Sequence, residues 1–421
     1  MALAIGGVAG AGLAVSPAAA QDYSDGWRSA AAPISDAVAK TDSDAQIQAL
    51  VSQVAAADGA RKAELKAQLD AALGGVFAKL EALEPLSVNA DDKYATGQFN
   101  LNFGNKLREP ALQYKGLKLM VDSGKSAPDQ VPLFNYYVGS LAYDARDYAN
   151  ARTYLKNAID LGHQADNLER LYAETYFGQD QFVEGLNELD KVIGNRGAAI
   201  PEDTYRRALQ VAYDEEIKDQ IVKRSADLVK AHPGEGTWNT SLRVVLDSFD
   251  FTADESLDLF RLMRVTNSME EARTYVDYIE AADARRMANE VLPVIEEAIA
   301  LGLLNSEDVF VKEAREVAAA RAAEDRNAAD EDAANARTAA DSLSARATAD
   351  NFFSLGRYAD AEEFYQLALD RGEDANRMTM RLAVAQAMQD KFDEAKANFA
   401  KVTGNRAFVA SMWLAYIDTM S

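Results

Sequence analysis

A recurrence of side-chain size at an interval of 34 residues constrains this chain more than any other feature. Tyr148 is followed 34 residues later by Phe182, at the centre of one pair of matching segments. Tyr358 is followed by Phe392 at the same interval, in a second pair near the C-terminus. A period of this length predicts supersecondary units that stack on their neighbours and bury a shared core.

Small residues recur where two helices of such a unit would have to approach each other closely. Antiparallel helices come within about 8 to 10 Å only where a small side chain faces the neighbour. Gly139, Ala151 and Ala158 supply small side chains within residues 137–162, and Tyr148 is expected to fill the space beside the turn between the helices. The pattern therefore predicts antiparallel helix pairs.

The segments Tyr137–Gly162 and Phe352–Gly372 resemble tetratricopeptide repeats, which are helix-turn-helix units of this length. Four units match, over about a third of the chain, although the proline that ends the family's unit is missing from all four. The resemblance implies an all-α fold, a solenoid of helix pairs in a right-handed superhelix with a helical N-terminal cap. It also implies a groove lined by the first helix of each pair.

The sequence divides into five predicted segments. Residues 1–20 are interpreted as a signal peptide and residues 21–90 as the helical N-terminal cap. Residues 91–310 are interpreted as the repeat array, followed by an alanine-rich helical linker at 311–341. Residues 342–421 form the C-terminal repeat pair with a capping helix.

Three regions lack a clean repeat signature. Residues 34–84 predict two amphipathic helices, and residues 201–310 predict degenerate repeats with insertions between helices. Residues 313–341 are rich in alanine and charged residues and contain no glycine, proline or aromatic residue. They predict a surface helix or hinge about 43 Å long if it is continuous.

The first twenty residues carry no charge and end in Ala18, Ala19 and Ala20, as a secretory signal does. Cleavage after Ala20 is expected, with a periplasmic or secreted mature chain and no transmembrane span in it. A basic residue should precede the apolar run and none does, so a start upstream of Met1 is an alternative. The chain has no cysteine, which excludes disulfides.

Composition and motifs argue against several function classes. A formal net charge of −23 disfavours nucleic acid and anionic lipid as partners, because both require a basic surface. The two histidines, His163 and His232, are interpreted as helix-end residues, which disfavours zinc sites and histidine-dependent triads. We therefore expect no cofactor, no metal site and no catalytic residues.

The family resemblance implies a set of partner-binding residues on the first helix of each matching unit. Aromatic rings beside hydrogen-bonding groups suit an extended peptide, although ion pairs four residues apart on these helices also occur on ordinary surfaces. The predicted groove residues are Tyr136, Ser140, Tyr143, Arg170, Glu174, Phe177, Arg346, Asp350, Phe353, Met380, Val384 and Met388.

The C-terminal helix is apolar around most of its circumference, whereas a plain cap would have a polar outer face. It is expected to pack on a second surface, either in this chain or in a partner, which includes self-association through residues 407–421. The leading hypothesis is an exported, non-catalytic scaffold that binds a protein partner in the envelope. The alternatives are a helical toroid enzyme or binder acting on envelope glycans, and a self-assembling structural component.

Overall fold

The computed structural model describes residues 22–194 and 196–420. These residues form twenty-two α-helices and two short 3-10 helices, with no strand among them. The predicted all-α fold of helix pairs is confirmed, while the handedness of the array stays a prediction. The described helices include none long and apolar enough to cross a membrane. The predicted signal peptide, 1–20, lies outside the described residues.

The chain divides into two compact units, unit 1 ending at Ile193 and unit 2 beginning at Gly194. This boundary lies inside the segment interpreted above as a single repeat array. The helices of unit 1 are α1 Asp25–Ser43, α2 Ala45–Ala56, α3 Gly59–Ala72, α4 Val76–Leu83, α5 Ala90–Leu107, α6 Pro110–Asp122, α7 Val131–Asp144, α8 Tyr148–Asp160, α9 Leu168–Phe177 and α10 Phe182–Ile193.

The N-terminal part of unit 1 contains four helices, so the prediction of two amphipathic helices in this region was wrong. Asp44 begins a new helix, because its carboxylate accepts hydrogen bonds from the backbone amides of Gln46 and Ile47. Gly74 and Gly75 separate α3 from α4, since both adopt left-handed backbone angles that glycine tolerates best. The helices bury a core of aliphatic and aromatic side chains against α5.

The predicted close approach of repeat helices is observed between α7 and α8. A β-carbon added at Gly139 would lie 2.6 Å from a side-chain carbon of Leu155 and 2.9 Å from its backbone nitrogen. The turns repeat as well, because Arg146 and Asp180, 34 residues apart, both have positive φ angles. Thus the period read from side-chain size is also a period of backbone conformation.

Unit 2 continues with helix pairs through the region predicted to hold degenerate repeats. Its helices are α11 Glu202–Asp214, α12 Lys218–Ala231, α13 Glu235–Ser248, α14 Ala253–Val265, α15 Ala272–Ala282, α16 Ala288–Ala300, α17 Val309–Thr338, α18 Ser342–Ser354, α19 Tyr358–Asp370, α20 Ala375–Ala387, α21 Phe392–Phe399 and α22 Asn405–Met420. The matching units of the sequence are the pairs α18/α19 and α20/α21.

The alanine-rich segment is one continuous helix, α17, of 30 residues. It packs along α16 and α18, burying a stripe of small side chains while its charged side chains other than Asp325 remain exposed. A packed surface helix therefore describes it better than a hinge. The buried stripe consists of Ala318, Ala322, Ala329, Ala333 and Ala336.

The apolar C-terminal helix, α22, packs inside unit 2 against α12, α14, α20 and α21. Trp413 is fully buried, and its ring stacks on Phe399 with centroids 6.2 Å apart. Its indole nitrogen donates a hydrogen bond of 2.9 Å to the carbonyl of Asp258. The second surface predicted for this helix therefore lies in the same chain.

Candidate functional site

Charged side chains cluster in the interior of unit 2, beginning on α14. Asp254, Asp258 and Arg261 follow each other at intervals of four and three residues, which places them on one face of that helix. The helix is fixed at its start by a capping box, in which Thr252 and Glu255 each bond the other's backbone amide. The face so positioned points away from solvent, because Asp258 and Arg261 are both buried.

Arg381 of α20 is the centre of this cluster and is completely buried. Its guanidinium donates to Asp350 of α18 at 2.5 Å and to Asp254 of α14 at 2.7 Å. The hydroxyl of Tyr365 donates a further bond of 2.9 Å to Asp350. Burial would lower the pKa of Arg381, but Asp350 and the other neighbouring acids outweigh it and raise the pKa, so this arginine stays cationic.

Arg406 connects α22 to the same cluster. Its Nη1 donates to Asp258 at 2.8 Å, and its Nη2 is paired with Asp254. Burial alone would raise the pKa of Asp254, but Arg381 and the other arginines around it outweigh burial and leave that pKa below its ordinary value. The C-terminal helix is thus held by ion pairs as well as by Trp413.

A second part of the cluster surrounds Glu290 of α16. Arg261 bonds both of its carboxylate oxygens at 2.8 Å, and the hydroxyl of Tyr278 donates to one of them at 2.7 Å. Burial would raise the pKa of Glu290, but Arg261 and Tyr278 reverse the effect and lower it. Glu290 is therefore held as an anion and does not suit the role of a general acid.

Two cavities adjoin the cluster. The first, of about 410 Å³, is lined among others by Arg261, Tyr278, Glu290, Phe353 and Tyr358. Glu290 is the one carboxylate among the described residues that line it. Glycoside hydrolysis normally requires two carboxyl groups on opposite sides of the bond. The alternative of an enzyme or binder acting on envelope glycans stays a prediction.

The second cavity, of about 460 Å³, is distinctly charged. Three arginines reach it from three places, namely the turn before α16, helix α18 and helix α20. The two aspartates in its wall already pair with Arg381. Its lining consists of Asp254, Arg286, Arg346, Ala347, Asp350 and Arg377.

Four of the six predicted groove residues of unit 2 line these cavities. Arg346 and Asp350 line the second cavity, whereas Phe353 and Met388 line the first. Met380 and Val384 of α20 are fully buried. Arg346 and Asp350 do not form the ordinary helical ion pair considered above, because Asp350 pairs with Arg381 and the carboxylate nearest to Arg346 is Glu373, at 3.9 Å.

The predicted groove residues of unit 1 fall into two groups. Tyr136, Ser140 and Phe177 are buried, and the hydroxyl of Tyr136 donates to Asn167 just before α9 at 2.8 Å. The other three remain partly accessible to solvent. These are Tyr143, Arg170 and Glu174.

Most of the charged cluster could not be recognised from the sequence. Asp254 follows Asp247 and Asp250 at a spacing that resembles a calcium loop, but the glycine and the final glutamate of such a loop are absent. Arg377 and Arg381, four residues apart, resemble any charged helix face. Arg381 and Asp254 are separated by 127 residues, so local spacing contains no signal that they meet.

Among the described residues, no three or more histidine, cysteine, aspartate or glutamate side chains are placed so that they could hold a metal ion. No protein-family model matches the sequence, and no curated protein matches it. Among solved structures, the chain is similar to the APC/C hetero-tetramer Cut9-Hcn1, at 12% identity over 79% of this chain and 68% of that one, with a TM-score of 0.22. It is also similar to Naa15/Naa10 bound to HypK-THB, at 12% identity over 90% and 70%, with a TM-score of 0.23. At these scores the likenesses carry no argument about function.

Proposed function

We propose that this chain is an exported, non-catalytic scaffold that holds an extended segment of a protein partner against the first helices of the unit 1 repeats. One observation carries the proposal. Tyr143, Arg170 and Glu174 lie at repeat positions predicted to line the groove, and all three keep part of their surface accessible. At the same repeat positions, Tyr136 and Ser140 in unit 1 and Met380 and Val384 in unit 2 are buried.

The accessible residues offer the chemistry that an extended peptide needs. A tyrosine ring provides contact area at a small cost in side-chain entropy, and arginine provides directed hydrogen-bond donors. Tyr143 lies beside Tyr148, with ring centroids 5.7 Å apart, which positions its ring at the turn of the repeat. Tyr143 and Arg170 belong to α7 and α9, the first helices of consecutive repeats, so one peptide contacting both would run across the repeats.

Site-specific photo-crosslinking tests this face directly. A photoreactive amino acid placed at Tyr143 or at Arg170 is expected to form discrete adducts with envelope proteins in cells. Thr153, exposed on the second helix α8, is the matched control position and is expected to give none. Equal adduct patterns at all three positions, or no adducts at any, would count against the proposal. Substitution of Phe177 is a poor test, because this side chain is buried against Phe182.

Export is a separate part of the proposal and has its own test. Sequencing the N-terminus of the protein recovered from the periplasm or medium is expected to begin at Gln21, as cleavage after Ala20 requires. Recovery of the chain only from the cytoplasm with residues 1–20 intact would refute export. That result would leave the partner-binding face of unit 1 untouched.

A further inference from the structure

The second cavity of unit 2 has a positive charge excess that the surrounding side chains do not balance. Among the described residues, the cavity wall and the ion pairs that continue from it contain five arginines and three aspartates: Arg286, Arg346, Arg377, Arg381 and Arg406 against Asp254, Asp258 and Asp350. Glu373, 3.9 Å from Arg346, compensates for at most one of the two excess charges. The excess stands out in a chain whose formal net charge is −23.

The carboxylates in the wall of the cavity already accept hydrogen bonds from side chains of the protein. Asp254 is bonded by Arg381 at 2.7 Å and lies 2.6 Å from Arg377. Asp350 accepts from both Arg381 and Tyr365. The nearest approach of Arg286 to Asp350 is 3.9 Å, which is longer than a hydrogen bond. The acids therefore cannot fully satisfy the arginines that face the cavity.

The arginines in the wall retain donors that have no partner. The Nε atoms of Arg346 and Arg377 are buried and donate to no described residue. Burial and the neighbouring Arg381 lower the pKa of Arg377, as expected for a guanidinium among like charges. A buried donor without a partner is costly, and an anion in the cavity would remove that cost.

We propose that this cavity binds a small ligand through a phosphate or carboxylate group held by Arg286, Arg346 and Arg377. The planar guanidinium matches both oxyanions and bonds them in a bidentate manner. A volume of about 460 Å³ lies within the range of small-molecule sites. The site is independent of the peptide-binding face proposed for unit 1, because all of its residues belong to unit 2.

Calorimetric titration of the purified full-length chain with inorganic phosphate, and separately with succinate, tests the site. Saturable binding of phosphate alone indicates a phosphorylated ligand, and binding of succinate alone indicates a carboxylated one. Binding of both indicates a site for either oxyanion. Failure of both anions to bind at millimolar concentrations would overturn the proposal.

Three substitutions distinguish binding of the anion in this cavity from nonspecific electrostatic attraction to the protein. Arg346→Gln is expected to weaken binding about tenfold or more, because it removes one charged donor that has no close partner in the fold. Ala347→Trp is expected to abolish binding by filling the cavity without changing its charge. Arg315→Gln, at an exposed ion pair with Glu296, is the matched control and should bind as the wild type does.

Circular dichroism establishes that each variant is folded before binding is compared. Arg346 makes no close ion pair, so loss of its charge should leave the helical content unchanged. Binding that is equally strong in Arg346→Gln, Ala347→Trp and the wild type would overturn the proposal. Weakening in both cavity variants but not in Arg315→Gln would support it.

Discussion

The two units use similar helix pairs but differ in what their interiors contain. The main core of unit 1 is formed by aliphatic and aromatic side chains such as Trp27 and Phe103. Its buried Asp92 is satisfied by hydrogen bonds from Ser24. The interior of unit 2 contains arginines, among them Arg381 and Arg261, each paired with buried acids.

This difference separates two physical roles of a protein interior. Apolar burial stabilises a fold roughly in proportion to area and is not directional. Buried ion pairs gain little net stability, because desolvation offsets their attraction. The charged groups of the cluster are all paired only when α14, α18, α20 and α22 hold fixed positions relative to one another. The cluster of unit 2 therefore favours one arrangement of its helices.

The largest expected effect is that of Arg381→Leu in unit 2. The substitution would leave Asp350 and Asp254 without their central cation and should reduce the free energy of unfolding by about 3 to 5 kcal/mol. Urea unfolding followed by fluorescence measures it, because Trp238 and Trp413 report on unit 2 and Trp27 on unit 1. An unchanged unit 2 transition would show that the cluster does not hold its helices.

A smaller effect is expected in unit 1 from Gly139→Ala. The added methyl group would meet Leu155 at 2.6 Å, and such overpacking costs about 1 to 3 kcal/mol. The control is Gly26→Ala on α1, where no atom outside the adjoining helix backbone lies within 4 Å of the new carbon. Thermal unfolding followed by circular dichroism should show a loss for Gly139→Ala and none for Gly26→Ala. Equal behaviour would contradict the proposed close approach of α7 and α8.

Acid is expected to weaken the two units in different pH windows. Burial lowers the pKa of His163 in unit 1, so the unfolded state takes up the proton first and stability falls as pH decreases below about 6.5. In unit 2, opposing arginines lower the pKa values of Asp254 and Glu290. Their contribution is complete above about pH 4.5 and is lost as pH falls through the folded pKa values.

Urea unfolding at several pH values, followed through Trp27 for unit 1 and the other two tryptophans for unit 2, checks these windows. His163→Gln should remove the upper window from unit 1 and leave unit 2 unchanged. A common window for both units would contradict the assignment. The pKa values of His163, Asp254 and Glu290 are all lower in the folded state than in the unfolded state. Acid therefore destabilises both units, and only the pH range of the loss differs.

The smallest effect is expected from Arg337→Gln. This arginine pairs with Glu363 at 2.8 Å, but half of each side chain is exposed. Exposed ion pairs typically contribute about 0.2 to 1 kcal/mol, so the unit 2 transition should barely move. A loss comparable to that of Arg381→Leu would mean that burial does not distinguish the two arginines.

The sequence was informative where structure depends on local spacing. The interval between Tyr148 and Phe182 predicted the helix pairs and their turns, because each pair is closed by contacts within one period. Two helices were predicted at residues 34–84 where the structure has four. The helix start at Asp44 and the break at Gly74 do not interrupt the spacing of the apolar residues. The pairing within the charged cluster could not be predicted, although Arg346 and Asp350 were among the predicted groove residues, because partners such as Asp254 and Arg406 are separated by 152 residues.

The contact of α22 with α14 also bears on how unit 2 folds and how it withstands a cut. Repeat arrays usually gain structure from neighbour to neighbour, and therefore fold quickly and come apart piecemeal. Here residues more than a hundred positions apart must first be brought together, which slows folding through the entropy of closing so large a loop. Once formed, the contacts between α14 and α22 hold the early and late helices of unit 2 together. A protease cut in an exposed turn between them should therefore leave two fragments that remain associated.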